Sequence, residues 1–349
     1  MFKPLLLITL VLFIIGTGLF FFNENNNYKY LSHSSADGKK LLEKLDTKAL
    51  NQINIQVEGT IISLLQMQGG GWQEKSLSYE ADIQPIQDLL LNLSQMRLEN
   101  LVTSNPDHHK RFSLLSPPEK MEEWSKEIHA GSVMLFQGDG ALILSLLLGK
   151  ERTNGDGQYI RHAGSDKVYL IPERLQIDAE VDDWLNKILF SLKSDQIAGI
   201  KLQSKKDSSF EVVRQNAGGK WVPKGEKHNF PDSEKINKIL DRLALLTFTK
   251  LYKKGQEPEN INGSMKEEES LLVSLFDGRI YTLNLHNNDG SNGNYILKVR
   301  MGILQDKSTN TKTEDKILRQ KMDLFNQKAN GRLFEINSWE GNELLLNYQ

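Results

Sequence analysis

The stretch ADIQPIQDLLLNLSQM, residues 81–96, decides the fold because PDSEKINKILDRLALL, residues 231–246, repeats its pattern 150 positions later. In each stretch an aspartate precedes apolar residues spaced i, i+3, i+4 and i+7, which lie on one face of an α-helix. Asp82 and Asp232 stand where an N-cap carboxylate accepts hydrogen bonds from the first helical turn. The matched apolar positions are Ile86, Leu89, Leu90 and Leu93, then Ile236, Ile239, Leu240 and Leu243.

A glycine turn followed by tryptophan precedes each of these helices. The sequence reads GGGW at residues 69–72 and GGKW at residues 218–221. A phosphate-binding loop would lead directly into a helix, but here an extended segment of about ten residues intervenes. The glycines are therefore interpreted as turn residues, and Trp72 and Trp221 as structural residues that anchor the next strand in the core.

Short alternating segments surround both helices and predict strands. Each helix follows a predicted hairpin and precedes strands joined by an Asp-Gly turn, at residues 139–140 and 277–278. Connections this short join antiparallel strands. The predicted fold is therefore α+β, with two tandem repeats at residues 50–193 and 194–349, each mainly antiparallel strands with one amphipathic helix. A further amphipathic helix is predicted at residues 311–329 of the second repeat.

The N-terminus carries 18 uncharged residues, LLLITLVLFIIGTGLFFF, at positions 5–22. As a helix they would extend about 27 Å, which is close to the hydrocarbon thickness of a bilayer. We therefore predict an N-terminal transmembrane helix within an anchor at residues 1–30, followed by a juxtamembrane linker at residues 31–49. A cleaved signal peptide and a buried core helix are the alternatives. The expected location is the bacterial inner membrane, crossed once, with the bulk of the chain extracytoplasmic.

Composition argues against several classes of function. The net charge of −2 creates no basic field for nucleic acid. The chain has no cysteine, and its seven histidines lack the spacing of zinc sites. We therefore predict no catalytic, cofactor-binding or metal-binding residues and no cofactor.

Two sets of polar residues stay open as weaker candidates. Tyr159 and Arg161 lie two residues apart on one predicted strand face, where they either bind an anionic group or pack flat on the sheet. Asp139 and Asp156 are the acids from which a dispersed hydrolase site would be assembled. That extracytoplasmic hydrolase is the alternative to a non-enzymatic protein.

The order of these motifs resembles the bacterial family catalogued as domain of unknown function 4340. The resemblance lies in the anchor, the Gly-Trp strand, the two Asp-capped helices, the strand QYIRHAG at residues 158–164 and the strand VYLI at residues 168–171. It implies one membrane helix, tandem domains and a membrane-protein partner, such as an ABC-type transporter related to gliding motility. The expected function is that of an accessory or interaction subunit in the cell envelope. Leu297 replaces Arg161 at the matching position of the second repeat, so a role for the Tyr-x-Arg pair is in doubt there.

Overall fold

The structure, a computed structural model, describes residues 39–41, 49–57, 60–118, 120–153, 155–204, 209–224, 230–253, 255–256, 269–288, 293–304 and 312–347. The fold is α+β, with mostly antiparallel strands and few helices, which confirms the predicted class. Among the described helices, none is both long and apolar enough to span a membrane. The predicted membrane helix at residues 5–22 lies outside the described residues.

The first half contains twelve strands among the described residues, and in some of them, such as residues 52–57, half-buried and buried side chains alternate. They are β1 (Lys39–Lys40), β2 (Gln52–Val57), β3 (Thr60–Gln66), β4 (Trp72–Glu74), β5 (Tyr79–Glu80), β6 (Arg97–Leu98), β7 (Leu101–Thr103), β8 (Ser132–Gly138), β9 (Ala141–Glu151), β10 (Gln158–His162), β11 (Val168–Ile171) and β12 (Ile188–Phe190). Helix α1 (Ile83–Gln95) follows β5.

The second half contains nine strands and three α-helices among the described residues. The strands are β13 (Ile197–Gln203), β14 (Phe210–Val213), β15 (Val222–Pro223), β16 (Leu246–Thr247), β17 (Lys250–Lys253), β18 (Glu269–Leu275), β19 (Arg279–Asn287), β20 (Tyr295–Ile303) and β21 (Arg332–Ile336). The helices are α2 (Ser233–Ala244), α3 (Lys312–Ala329) and α4 (Ser338–Leu345).

Two large sheets organise these elements, and they share a strand order. The first sheet runs β5-β4-β3-β2-β8-β9-β10-β11-β7, and the second runs β15-β14-β13-β18-β19-β20-β21-β17. In each sheet the opening hairpin lies toward one end, and the second strand after the helix, β7 or β17, forms the other end. Apart from the additional strand β5, the two orders correspond strand for strand.

Each sheet buries one face under its helix. The first core joins Ile53 and Ile55 of β2 to Ile86 and Leu93 of α1. The second core packs α2 and part of α3 and α4 against its own sheet. The inner faces therefore hold the apolar residues that the alternating pattern predicts.

One helix of the second half was missed by the sequence analysis. The prediction of one amphipathic helix in each repeat, with an addition at residues 311–329, omits α4. Its sequence, SWEGNELL, is short and has no clear apolar stripe. A Cβ at Gly341 would lie 2.1 Å from the Tyr295 ring. This helix therefore forms by close packing on β20, which the local sequence pattern does not reveal.

Candidate functional site

The first glycine turn places Trp72 in the core. Gly70 and Gly71 have φ values of 87° and 79°, which favour glycine. The amide of Met67 donates to the carbonyl oxygen of Gly71 at 3.0 Å, which closes the turn. Trp72 then begins β4 with only 8% of its surface exposed. These glycines form a strand connection and lead into no helix.

Trp221 differs from the expectation of a buried core position. It is half-buried, it precedes β15, and it packs on the margin of the second core. The Arg214 guanidinium lies 4.5 Å from the centre of its ring. Arg214 also donates to the carbonyl oxygens of Ile197 and Ala217 at 2.8 Å each. The matching tryptophans therefore occupy different environments, because among the described residues a cation covers Trp221 and none covers Trp72.

Both predicted capping aspartates lie at helix N-caps. The side chain of Asp82 accepts a hydrogen bond from the amide of Gln84 at 3.0 Å, at the start of α1. Asp232 accepts one from the amide of Lys235 at 2.9 Å, at the start of α2. Each carboxylate thereby pairs an amide that the helix leaves without a backbone partner.

The Tyr159–Arg161 pair packs within a small cluster on the first sheet. The Phe112 and Tyr159 rings lie 4.6 Å apart. Arg161 is 7% exposed, and its Nη2 donates to the carbonyl oxygen of Leu114 at 2.8 Å. Its Nη1 donates to the carbonyl oxygen of Ser165 at 3.1 Å. Burial lowers the pKa of Arg161, which remains a cation. The guanidinium therefore links the loops that contain Leu114 and Ser165 to the sheet, and it does not face solvent.

The two acids of the hydrolase alternative are not brought together. Asp139 lies in the turn before β9, where its side chain accepts from Asn51 at 3.3 Å. Asp156 lies in the loop after β9. Because β9 contains 11 residues, the strand between them is roughly 33 Å long. Within the described part of the chain, no group of three histidine, aspartate or glutamate side chains is placed to hold a metal ion.

Asp156 lines an open depression of about 280 Å³ with mixed charge. Glu151 and Glu173 also line it, as does Arg174, whose Nη1 lies 2.9 Å from the Glu151 carboxylate. Both members of that ion pair are more than half exposed. Water therefore screens the depression, and its charges partly neutralise one another.

The polar groups that the sequence analysis missed lie between the two halves. We call this region the junction and define it as residues 74–80 of the first half together with Lys253, Lys328 and Arg332 of the second. Tyr79 is 1% exposed and belongs to the second hydrophobic core rather than the first. Its ring meets those of Phe248 and Phe334 edge-on, with centres 5.6 and 6.2 Å away.

The three cations of the junction bind residues 74–80 of the first half. Arg332 Nη2 donates to the carbonyl oxygens of Leu77 and Ser78 at 3.1 and 2.8 Å. Lys328 pairs with Glu80 at 3.1 Å, and its ammonium lies 5.0 Å from the centre of the Tyr79 ring. Lys253 donates to a carbonyl oxygen of the same segment, that of Ser76.

A buried carboxylate of the first half also binds residues 74–80. Glu74 is fully buried and accepts from the amide and hydroxyl groups of Ser76 at 3.0 and 2.8 Å. It also accepts from the amide of Leu77 at 2.7 Å. These bonds hold the turn in the shape that directs Tyr79 into the second core.

A second set of contacts lies at the edge of the second sheet, where the first half accepts a hydrogen bond from the edge strand. Asp182 of the first half accepts from the amide of Leu251 on edge strand β17 at 2.8 Å. Burial raises the pKa of this carboxyl, while the Leu251 amide, Lys250 and Lys187 act in the opposite direction. Nearby, the Tyr252 hydroxyl donates to Glu335 at 2.6 Å. Burial is also the main reason that the pKa of Tyr252 is raised.

Together these contacts join the two halves through a buried aromatic side chain, charge-assisted hydrogen bonds and a closed sheet edge. The sequence offers one signal for them, since the apolar Leu77 and Tyr79 stand in a turn that would otherwise be polar. It does not say which surface they contact. The chemistry of the junction is that of a structural coupling between two sheets.

A family model described as "Domain of unknown function (DUF4340)" matches residues 72–262, which is more than half of the chain. The match starts at Trp72 and runs across both halves, so it confirms the resemblance without marking two copies. No curated protein and no solved structure matches the chain.

Proposed function

Because this chain belongs to the DUF4340 family, we propose that it is a non-enzymatic interaction subunit of a membrane assembly in the bacterial cell envelope. In this proposal residues 5–22 anchor the chain in the inner membrane and the two halves lie outside the cytoplasm. The halves are a duplicated unit, as their common strand order suggests. The proposed partner is a membrane protein, and the family resemblance makes an ABC-type transporter related to motility the first candidate.

The observation that carries the proposal is the junction. Tyr79 completes the second core, and Arg332 bonds to two carbonyl oxygens of the first half. A protein that binds a partner with two sheets at once needs them in a fixed relation, because each loose degree of freedom costs entropy on binding. The buried contacts of the junction meet that requirement.

The hydrolase alternative receives less support. Its two named acids flank a strand roughly 33 Å long, whereas paired catalytic carboxylates lie within about 10 Å of each other. Asp156 faces an open and screened depression. The geometry of these residues therefore favours an interaction protein over that enzyme.

Capture from native membranes tests the proposal. The tagged full-length protein is extracted in mild detergent and compared with a variant lacking residues 1–22 and with Tyr79→Ala. We expect the full-length protein to co-purify with a membrane protein, the truncation to weaken capture by loss of proximity, and Tyr79→Ala to weaken it with the anchor intact. Asp241→Ala, an exposed change on α2, is the matched control.

Two results would contradict the proposal. One is recovery of the full-length protein alone together with hydrolysis of a small substrate that Asp156→Asn abolishes. The other is a mature N-terminus between residues 23 and 35, because cleavage there removes the anchor.

A further inference from the structure

Strand β7 lies at one end of the first sheet, as β17 does in the second. Among the described residues it pairs with β11 on one side and with no strand on the other, and we call this outer side the β7 edge. Leu101 and Val102 are 47% and 37% exposed there. Such an edge offers apolar side chains and backbone amides to another chain, and proteins normally cover it.

The second half shows how the corresponding edge is covered. Leu251 of β17 lies 150 positions after Leu101, the spacing that also relates the two capped helices, and it is only 4% exposed. Asp182 of the first half accepts from the Leu251 amide at 2.8 Å. Leu185, three positions later, is buried in the same core as Leu251. A carboxylate and an apolar side chain from outside the sheet therefore cover the β17 edge.

The amide of Leu101 is directed outward in the same way. Leu170 of β11 donates to the carbonyl oxygen of Asn100 at 3.2 Å. Neighbouring residues of a strand direct their backbone groups to opposite sides, so the Leu101 amide is directed away from β11. The β7 edge thus presents the amide and the leucine that Asp182 and Leu185 cover in the second half.

A two-stranded ladder beside each edge fixes the alignment of the halves. Lys40 of β1 pairs with Arg97 of β6, and Ile188 of β12 pairs with Thr247 of β16. Thr247 lies 150 positions after Arg97, so Lys40 and Ile188 occupy matching positions. The sequences upstream of these two residues can therefore be compared position by position.

The sequence upstream of Lys40 lacks the two covering groups. Asp182 and Leu185 stand six and three positions before the matching residue of the second half, and the same counts before Lys40 give Ser34 and Asp37. A hydroxyl thus replaces the carboxylate, and a charged side chain replaces the leucine. The cover of the β7 edge is therefore expected from another molecule.

We propose that the β7 edge binds a segment of the membrane-protein partner in which a carboxylate stands three positions before an apolar side chain. That partner is the one of the proposed function, on which this step rests. The carboxylate accepts a charge-assisted hydrogen bond from the Leu101 amide, and the apolar side chain removes Leu101 from water. Residues 39–40 and 97–103 contain three basic residues and one acidic residue, a balance that favours a carboxylate.

The β7 edge also lies near the point where the chain reaches the membrane in the proposed function. Residues 23–38 separate the predicted membrane segment from β1 and extend at most about 55 Å. A partner embedded in the same bilayer is therefore held near the edge, which raises its effective concentration. A second copy of the chain fits less well, because its Asp182 and Leu185 already cover its own β17 edge.

A peptide with the natural covering sequence tests the β7 edge. The probe is a fluorescein-labelled peptide of residues 178–188, DAEVDDWLNKI, titrated into the full-length protein in mild detergent. We expect saturable binding, measured by fluorescence anisotropy, and at least a tenfold loss of affinity with Leu101→Lys. Leu142→Lys, at a 58% exposed position of β9, is the matched control and should bind as the natural protein does. Circular dichroism checks that both variants are folded.

A second peptide tests the two covering groups. It carries Asp182→Ser and Leu185→Asp together, which gives it the residue types found at positions 34 and 37. This peptide should bind at least tenfold more weakly than the natural sequence. Equal binding of the two peptides, or binding that Leu101→Lys leaves unchanged, overturns the proposal.

Capture from native membranes connects the β7 edge to the partner. Leu101→Lys should lower recovery of the membrane protein at least fivefold, and Leu142→Lys should not. Recovery that Leu101→Lys leaves unchanged overturns this inference but leaves the proposed function standing. Failure of the natural protein to capture any membrane protein overturns both.

Two further measurements separate the other occupants. Replacing residues 31–37 with a glycine-serine sequence of equal length should leave peptide affinity unchanged. A tenfold gain in affinity would assign the β7 edge to the chain's own upstream segment and overturn the proposal. A dimer seen by light scattering that Leu101→Lys dissociates would assign the edge to a second copy, with the same consequence.

Discussion

At the scale of single residues, identical sequence positions acquire different roles. Trp72 and Trp221 both follow a glycine turn, yet one is buried in a core and the other lies under a guanidinium at a sheet margin. Arg161 and Arg214 are both largely buried, and both donate to backbone carbonyl oxygens. Their cationic side chains support neighbouring loops through these charge-assisted hydrogen bonds.

Replacing the two tryptophans should separate these roles. Trp72→Ala empties a buried site and should lower the free energy of unfolding by about 3–5 kcal/mol. Trp221→Ala removes a half-buried ring and one cation–π contact, with an expected loss of roughly 1–2 kcal/mol. Urea unfolding of the full-length protein in detergent, followed by fluorescence, measures both. Equal losses would show that the environment of Trp221 is a core environment after all.

The Asp182 carboxyl should make stability depend on pH. Its folded-state pKa is raised above the ordinary value of 3.8, so folding favours the protonated form. Its contribution to stability is therefore present below pH 3.8 and is lost as the pH rises through the raised pKa. Asp182→Asn keeps an oxygen that accepts from the Leu251 amide, but the asparagine does not titrate. The loss of stability with rising pH is therefore absent from the variant. The stability of the variant relative to the natural protein should increase between about pH 3 and pH 7.

Urea unfolding across that range checks the prediction for Asp182. Glu340, whose pKa burial also raises, is common to both proteins and cancels in the comparison. Asp182→Ala removes the acceptor as well and should destabilise the protein at every pH. A constant difference between the Asn variant and the natural protein would exclude the proposed titration.

At the scale of elements, the helices owe their boundaries to local chemistry and their positions to packing. Helices α1 and α2 begin at aspartate caps and bury an apolar stripe against the sheet of their own half. Helix α4 is too short for a repeating stripe and is positioned by its two buried leucines and by the close approach of Gly341 to Tyr295. Strand β17 depends on a carboxylate from the other half to satisfy the Leu251 amide at its open edge.

Removing either helix cap should cost stability without loss of fold. Asp82→Ala and Asp232→Ala each leave one N-terminal amide without its side-chain acceptor, so each should lower the free energy of unfolding by about 1 kcal/mol. Asp241→Ala, an exposed change inside α2, should alter it by less than about 0.5 kcal/mol. Thermal unfolding by circular dichroism distinguishes the cap variants from this control. A cap variant as stable as the control would mean that water replaces the carboxylate.

At the scale of the whole molecule, the junction turns two sheets into one unit. Tyr79 belongs to the first half, but its side chain fills a site in the second core. The Arg332 guanidinium carbon and the Lys328 ammonium nitrogen lie 5.4 and 5.0 Å from the centre of its ring. The first half therefore contributes a core residue to the second half. Cooperative unfolding of the described part of the protein follows from this arrangement.

Variants at Tyr79 test that cooperativity. The natural protein should unfold in one transition, and Tyr79→Ala should separate it into two by emptying the site in the second core. Tyr79→Phe should behave like the natural protein, because the buried phenol oxygen has no hydrogen-bond partner among the described residues. Differential scanning calorimetry resolves one transition from two. Two transitions in the Phe variant would assign an unrecognised hydrogen bond to the phenol.

Local patterns in the sequence determined much of the fold. The alternation of Ile53 and Ile55, the spacing from Ile86 to Leu93, the capping aspartates and the glycine turn each act within one element, where neighbours in sequence are neighbours in space. These features predicted the α+β class and the family resemblance. The candidate binding and hydrolase residues, by contrast, rest on residue type and on position within one strand or turn, which do not specify a contact with a distant residue.

Only the tertiary structure decided what those polar residues contact. It separated Asp139 from Asp156 by the length of β9, bonded Arg161 to the loop carbonyl oxygen of Leu114, and placed Tyr79 in the core of the opposite half. Such contacts join residues far apart in the chain, and their partners depend on how the two sheets meet. Periodicity reports which side of an element is buried, but it carries no information about which distant surface buries it. The sequence by itself therefore determined the elements that have a clear periodicity, whereas tertiary packing decided helix α4 and the junction.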